Sequence, residues 1–215
     1  MSRDKIKDDK YFEDYIIYQN KRIAKFKQAL NAISSSDIDK KRTCLGMIAG
    51  FQRDLINAKY SIGALKPEMK KVVCEYISII KEIGVDNYEE YINVISLAIL
   101  FDLRDEVTEI STKEPLNDRL TDILMAHSSV GKELRFKEYY GSFCDYLDGI
   151  IDVRQFERYM NEEWYKSSEG MYWYDSHKSG EDIYTGYWSW LAAACLKVKK
   201  EVTHGTVQYI PYDVI

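Results

Sequence analysis

Apolar positions recur along most of the chain at steps of three, four or seven residues, which is the spacing of one face of an α-helix. The pattern begins at Phe12 and Ile16 and runs through residues 10–33. Later segments of the same kind are predicted to end at Gly63 and Gly84, because glycine readily adopts the left-handed conformation that closes a helix. No stretch alternates apolar and polar residues as a strand does. The pattern predicts an all-α protein of about eight to nine helices in antiparallel neighbouring pairs, with fewer than about one residue in ten in strands.

The predicted helices group into two packed modules. An N-terminal helical module is expected over residues 1–125, and a C-terminal helical module with an aromatic loop over residues 132–215. Residues 126–131, Ala-His-Ser-Ser-Val-Gly, are the predicted polar linker. The last helix is expected to span residues 184–200. The apolar, extended tail at 209–215 is expected to dock on the helices, because a free tail would expose Tyr, Ile and Val side chains.

Composition supports long helices and limits the partners. Only 11 Gly and 3 Pro occur in 215 residues, and a β-sandwich or a doubly wound α/β fold needs more of these turn-forming residues. The net charge of −5 argues against nucleic acid as a direct ligand. The charge is uneven, with a balance of +5 over residues 1–60 and −10 over residues 61–215. The later part of the chain is therefore expected to offer a negative surface to a basic partner.

The four cysteines have no metal or disulfide spacing. Cys44, Cys74, Cys144 and Cys195 are far apart, and each falls in an apolar helical stretch, so buried free thiols are expected. The N-terminus has no apolar signal region, and the longest apolar run, at 95–101, is too short to span a bilayer. These features predict a cytoplasmic protein with no membrane partner, no metal and no cofactor.

Acidic residues concentrate in the middle of the chain. From Asp102 to Glu109 four of them follow at spacings of three, one and three, which would place them on one helical face. Asp86 is predicted to cap the helix that precedes this face. Such a face is either simply solvated or a surface that mimics nucleic-acid phosphates and competes for a basic cleft. The candidate partner-binding residues are Glu89, Glu90, Asp102, Asp105, Glu106 and Glu109.

The most distinctive segment, residues 172–190, carries three of the four tryptophans. A small aromatic core that holds a long loop is the expected role, and the same rings on the surface would form a binding hot spot. If the ring of Trp188 is buried, Trp188→Ala is expected to destabilise by about 3–5 kcal/mol. Asp175 and His177 could supply two metal ligands, or a base and the group that orients it. No phosphate-binding loop, dinucleotide fingerprint or nucleophile motif is present.

The same segment, followed by Ala192-Ala193-Ala194 and the tail motif Tyr209-x-Pro-Tyr-Asp213, resembles the C-terminal region of the PoNi family. These are bacterial immunity proteins paired with polymorphic PoNe-type DNase toxins. The N-terminal region is similar to the same family through Arg3-Asp4-Lys5, Tyr11-Phe12, Tyr18-Gln19-Asn20-x-Arg22-Ile23 and Ala58-Lys59-Tyr60-Ser61-x-Gly63. The resemblance covers about 3–82 and 130–215. Its C-terminal signature residues are Trp173, Tyr174, Asp175, His177, Tyr187, Trp188, Trp190, Pro211, Tyr212 and Asp213.

The resemblance implies an immunity protein that binds a cognate secreted DNase by direct contact and blocks its DNA-binding or active-site cleft. Such a protein is not an enzyme, and it protects the producer from a toxin delivered by a contact-dependent secretion system. Motifs shared by a family that faces diverse toxins are expected to maintain the fold, so the acidic middle is the expected toxin surface. Two alternatives stay open: a nucleic-acid-binding helical module that uses the basic first 60 residues, and a small metal-dependent hydrolase. A homodimer is also possible.

Overall fold

The computed structural model describes residues 2–108, 110, 118–127, 132–201, 205 and 207–215. Of these residues 66% are helical and none lies in a strand, which confirms the all-α prediction. Within the described residues there are nine α-helices: α1 (Asp9–Ala32), α2 (Ile38–Ile62), α3 (Lys66–Ile83), α4 (Tyr88–Leu100), α5 (Arg119–Leu124), α6 (Lys137–Leu147), α7 (Val153–Glu162), α8 (Trp164–Ser167) and α9 (Trp190–Lys199). Short 3-10 turns form at Arg104–Val107, Ser176–Lys178 and Tyr212–Val214.

The chain divides into two compact units. Unit 1 contains the described residues among 1–85, Ile110 and the later segment His177–Tyr187. Unit 2 contains the described residues among 86–108, 112–176 and 188–215. The predicted module boundary at residues 126–131 stays a prediction, and its residues 128–131 lie outside the described part of the chain.

Unit 1 is built on α1, α2 and α3, which pack in sequence order. The short connections at 33–37 and 63–65 make consecutive helices antiparallel neighbours. Asp37 caps α2 by accepting a hydrogen bond from the Lys40 amide. Gly63 ends this helix with φ +102°, as predicted. Phe12, Ile48 and Ile77 are among the buried side chains that form the core of this unit.

Unit 2 is centred on α4, in which every residue from Val94 to Leu100 is buried. This helix packs against α9, whose first seven residues are also buried. The predicted helix over 184–200 is too long, because Ser189 caps α9 through a hydrogen bond from the Ala192 amide, so the chain enters the helix only at Trp190. Residues 184–189 are not helical.

The tail docks within unit 2, as predicted. Ile210, Pro211 and Val214 are buried, the Ser189 amide donates to the Tyr209 carbonyl at 2.8 Å, and the Tyr212 hydroxyl donates to Glu157 at 2.8 Å. The final residues form a 3-10 turn rather than an extended strand.

The thiol prediction is confirmed for three cysteines and wrong for one. Cys44, Cys144 and Cys195 are buried and free, whereas Cys74 is free and exposed. Helix α3 turns Met69, Val73 and Tyr76 into the core, and Cys74 falls on the side of the helix away from them. No helix among the described residues has the length and apolar character needed to cross a membrane.

Candidate functional site

Two of the acidic candidates lie in the first turn of α4. Glu89 and Glu90 are half-buried there, in unit 2. The predicted cap at Asp86 is wrong by one residue, because the side chain of Asn87 accepts the hydrogen bond from the Glu90 amide at 2.9 Å. Carboxylates in the first turn are favoured by the positive end of the helix dipole, so both can stay ionised at low structural cost.

The remaining acidic candidates do not share a helical face, and that prediction is wrong. Helix α4 ends at Leu100, and Asp102 adopts the left-handed conformation with φ +57°. The Lys197 ammonium group closes this turn by donating to the Leu100 carbonyl at 3.0 Å and to the Asp102 carboxylate at 2.7 Å. Asp105 and Glu106 are exposed on the following 3-10 turn, and Glu109 lies outside the described residues.

The two units differ in formal charge. The sequence of unit 1 holds 18 Lys and Arg against 14 Asp and Glu, a balance of +4. Unit 2 holds 12 against 21, a balance of −9. The negative excess is therefore concentrated in the unit that contains Glu89, Glu90, Asp102, Asp105 and Glu106.

Sequence reasoning missed a strained aromatic turn in unit 2. Phe136, just before α6, has φ +51° and ψ +53°, and its side chain is 44% exposed. An aromatic residue in this left-handed region costs about 1–3 kcal/mol, which the surrounding contacts must offset. Nothing in the spacing of residues 132–137 marks the turn, because the conformation normally selects glycine or asparagine.

Asp118 holds this turn in place. It is fully buried, and its carboxylate accepts hydrogen bonds from the Tyr88 hydroxyl at 2.7 Å, the Thr121 amide at 3.1 Å and the Arg135 amide at 2.8 Å. Burial raises the pKa of Tyr88, and the bond to Asp118 raises it further, so the phenol stays a proton donor. The Tyr88 ring contacts Phe136 with 5.3 Å between ring centroids.

Part of the aromatic segment builds a half-buried cluster of stacked rings in unit 2. Trp173 stacks on Trp164 at 5.4 Å, and Tyr174 stacks on Tyr165 at 4.8 Å. The Tyr165 hydroxyl donates to the Asp175 carboxylate at 2.8 Å. Trp190 is 4% exposed, whereas Trp188 is only half-buried. The prediction for Trp188→Ala assumed a buried ring, and the ring is only half-buried. The expected loss of folding free energy is therefore smaller than about 3–5 kcal/mol.

The rest of that segment belongs to unit 1. The Tyr184 ring is 1% exposed, and its hydroxyl donates to the buried Asp4 carboxylate at 2.5 Å. The Tyr11 hydroxyl donates to the Tyr184 carbonyl at 2.9 Å, and the Ser61 hydroxyl donates to the Thr185 carbonyl at 2.8 Å. These bonds join residues from both ends of the chain within one unit.

Arg3 supports the same arrangement at the end of α2. Its guanidinium donates to the carbonyls of Tyr60 and Ala64 at 2.9 and 3.0 Å, and it lies 4.4 Å from the centre of the Tyr60 ring. A cation at the carboxyl end of a helix satisfies carbonyls that have no partner within the helix. Five of the residues quoted for the N-terminal resemblance thus make structural contacts: Arg3, Asp4, Tyr11, Tyr60 and Ser61.

The side chains of the hydrolase alternative have tyrosine partners. Asp175 accepts from Tyr165, and the His177 Nδ1 atom lies 2.6 Å from the Tyr187 hydroxyl. Across the part of the chain that the structure describes, no group of three or more His, Cys, Asp or Glu is placed to hold a metal ion.

Comparison with protein families gives two matches that together span nearly the whole chain. The model described as "PoNe immunity protein (PoNi), N-terminal" matches residues 3–113, and that described as "PoNe immunity proteins (PoNi), C-terminal" matches residues 113–213. The chain belongs to the PoNi family. No match was found among curated proteins or among solved structures. The segment His177–Tyr187 lies in the C-terminal match but in unit 1, so this PoNi chain needs residues of both matched regions to complete that unit.

Proposed function

We propose that this chain binds its cognate PoNe-type DNase and neutralises it by direct contact, covering the DNA-binding or active-site cleft. The observation that carries the proposal is the pair of PoNi matches, which together extend over residues 3–213. Inhibition by contact needs neither a catalytic group nor a cofactor in the chain. The protective site is the cytoplasm of the producing cell, where a DNase delivered by a secretion system would reach the chromosome.

The charge of unit 2 supports this mode of inhibition. A DNase binds phosphates through Lys and Arg, so the surface that faces DNA is basic. An inhibitor with a balance of −9 in one unit is attracted to such a surface before contact, which raises the association rate. The exposed or half-buried carboxylates of Glu89, Glu90, Asp105 and Glu106 are the proposed rim of the interface.

Asp102 has a different role in the proposed interface. Its carboxylate pairs with Lys197, which neutralises part of its charge and closes the end of α4. Its contribution to steering is therefore reduced, and its replacement would also disturb the turn. Glu109 stays a candidate on sequence grounds.

The test is a binding measurement with the purified nuclease domain of the proposed cognate PoNe-type toxin. A quadruple variant that replaces Glu89, Glu90 and Glu106 by Gln and Asp105 by Asn is measured at two salt concentrations. Because rim charges act mainly on encounter, we expect association to slow by about tenfold at low salt and the salt dependence to decrease. The matched control removes four acidic side chains from unit 1, at Glu13, Asp14, Glu68 and Glu82.

Two results would contradict the proposal. Failure of the wild-type chain to bind the nuclease domain would remove the function itself. Equal association rates and equal salt dependence for the quadruple variant and wild type would refute the proposed acidic rim of the interface. The +4 balance of unit 1 keeps a nucleic-acid-binding role as the second candidate, and tight, salt-sensitive retardation of mixed nucleic acid by the chain alone would favour it.

A further inference from the structure

Phe136 exposes a large apolar ring from a backbone conformation that aromatic residues rarely adopt. Its side chain is 44% exposed, and its φ and ψ are +51° and +53°. Glycine would take this conformation without strain, yet the position carries an aromatic side chain. Strain of this kind persists where surrounding groups enforce it, and it occurs most often at sites of function.

The groups that enforce the conformation lie on both sides of the turn. Asp118 binds the Arg135 amide on one side and the Tyr88 hydroxyl on the other. The amides of Tyr139 and Tyr140 donate to the Phe136 carbonyl at 2.9 and 3.0 Å. The backbone that carries the Phe136 ring is therefore held in place before any partner arrives, which lowers the entropy lost on binding.

The surroundings of the ring have the composition of a binding hot spot. The Arg135 guanidinium lies 5.4 Å from the centre of the Phe136 ring and 5.6 Å from that of Tyr88. Tyr140 contacts Tyr88 at 5.3 Å. Aromatic rings with arginine, in one pre-organised cluster, are typical of the few residues that carry most of the energy of a protein interface.

Acidic groups adjoin the cluster. Glu89 follows Tyr88 directly in α4, and its charge raises the pKa of Tyr140 together with burial, the larger cause. Cations lie here as well: Arg135 lies over the rings, Lys132 pairs with the Asp122 carboxylate, and Lys137 is exposed directly after Phe136. The charge of Glu89 thus acts on one ring of this cluster, which suits a partner whose apolar pocket adjoins a basic surface.

We propose that Phe136 is the anchor of the toxin interface: its ring enters an apolar pocket of the nuclease domain, and Glu89 and Glu90 face basic residues beside that pocket. This inference rests on the proposed function and adds to it the residue that sets the lifetime of the complex. Rim charges govern association, whereas a buried anchor governs dissociation.

The test compares Phe136→Gly with wild type in binding the purified nuclease domain of the proposed cognate PoNe-type toxin. We expect the dissociation constant to rise at least about tenfold, mostly through faster dissociation, because an anchor ring is lost. The melting temperature is expected to stay equal or rise, since glycine relieves the backbone strain. Tyr172→Ala removes another exposed aromatic ring of unit 2, 66% exposed, and should change binding by less than about twofold.

The outcomes separate this inference from the proposed function. Wild type that binds, with Phe136→Gly binding within twofold of it, overturns the anchor and leaves the proposed function standing. If Phe136→Gly loses binding and also melts at a lower temperature, the ring serves to pack the fold, and the proposed anchor is overturned as well. Phe136→Tyr keeps the ring and should keep binding, so a Tyr variant that binds as poorly as the Gly variant counts against the anchor. Wild type that does not bind refutes the proposed function.

Discussion

Tyr184→Phe removes one hydroxyl and tests how the two ends of the chain complete unit 1. The Tyr184 hydroxyl donates to the Asp4 carboxylate at 2.5 Å, and the two residues are 180 positions apart. Both are buried, with 1% and 7% of their surfaces exposed. The change keeps the ring that packs on Phe12, so its effect reports the hydrogen bond rather than a cavity.

The magnitude follows from the charge of the acceptor. Asp4 also accepts bonds from the amides of Ile6 and Lys7 at 2.8 and 2.9 Å, and these remain in the variant. Losing one bond to a buried charged group costs about 1.5–3 kcal/mol. For a chain of 150–250 residues, about 1 kcal/mol lowers the melting temperature by about 2–4 °C, so a decrease of about 3–12 °C is expected.

The assay is thermal and urea denaturation of Tyr184→Phe, with limited proteolysis across residues 177–187. Tyr172→Phe, at an exposed position of unit 2, is the matched control and should melt as wild type does. In a double-mutant cycle, Asp4→Asn and Tyr184→Phe should be non-additive, because each removes part of the same interaction. A melting temperature equal to that of wild type, with no new cleavage at 177–187, would refute the reasoning.

Three further predictions follow from burial and charge. Trp190→Ala is expected to cost about 3–5 kcal/mol and Trp188→Ala clearly less, as measured by urea denaturation, because only Trp190 is fully buried; equal losses would count against it. Native labelling with a maleimide at pH 7.5 should modify Cys74 and spare Cys144, whose pKa burial raises to about 12, with mass spectrometry as the readout. Burial raises the pKa of Asp54 above 3.8, so this group makes stability fall as pH rises through its folded-state pKa; Asp54→Asn should flatten that part of the stability profile and stabilise the chain at pH 7.

The helices and their ends could largely be predicted from the sequence. The apolar period, Asp37, Gly63 and the capping box that joins Asp152 to Gln155 are local signals, and local signals decide where most helices begin and end. The end of α4 was not predictable in this way. It depends on Lys197, which lies 95 residues later and binds the Asp102 turn, so the expected acidic helical face does not form.

The negative charge of the candidate site could be predicted from the sequence, whereas the backbone conformation of its residues could not. The excess of acidic residues after residue 60 is a property of the sequence, and the structure shows that it follows unit 2. The turn at Phe136 could not be predicted from the sequence. Its backbone conformation is stable only when Asp118 binds both the Tyr88 hydroxyl and the Arg135 amide. The segment His177–Tyr187 likewise belongs to unit 1 because Tyr184 binds Asp4, a residue almost the full length of the chain away.

Inhibition of DNA cleavage tests the proposed function most directly. The purified nuclease domain of the proposed cognate PoNe-type toxin is incubated with plasmid DNA and increasing amounts of the purified chain. If the chain neutralises its toxin by direct contact, cleavage should stop once the chain and the nuclease domain are present at a fixed, saturating ratio. Complete cleavage in the presence of a large molar excess of the folded chain would contradict the proposed function.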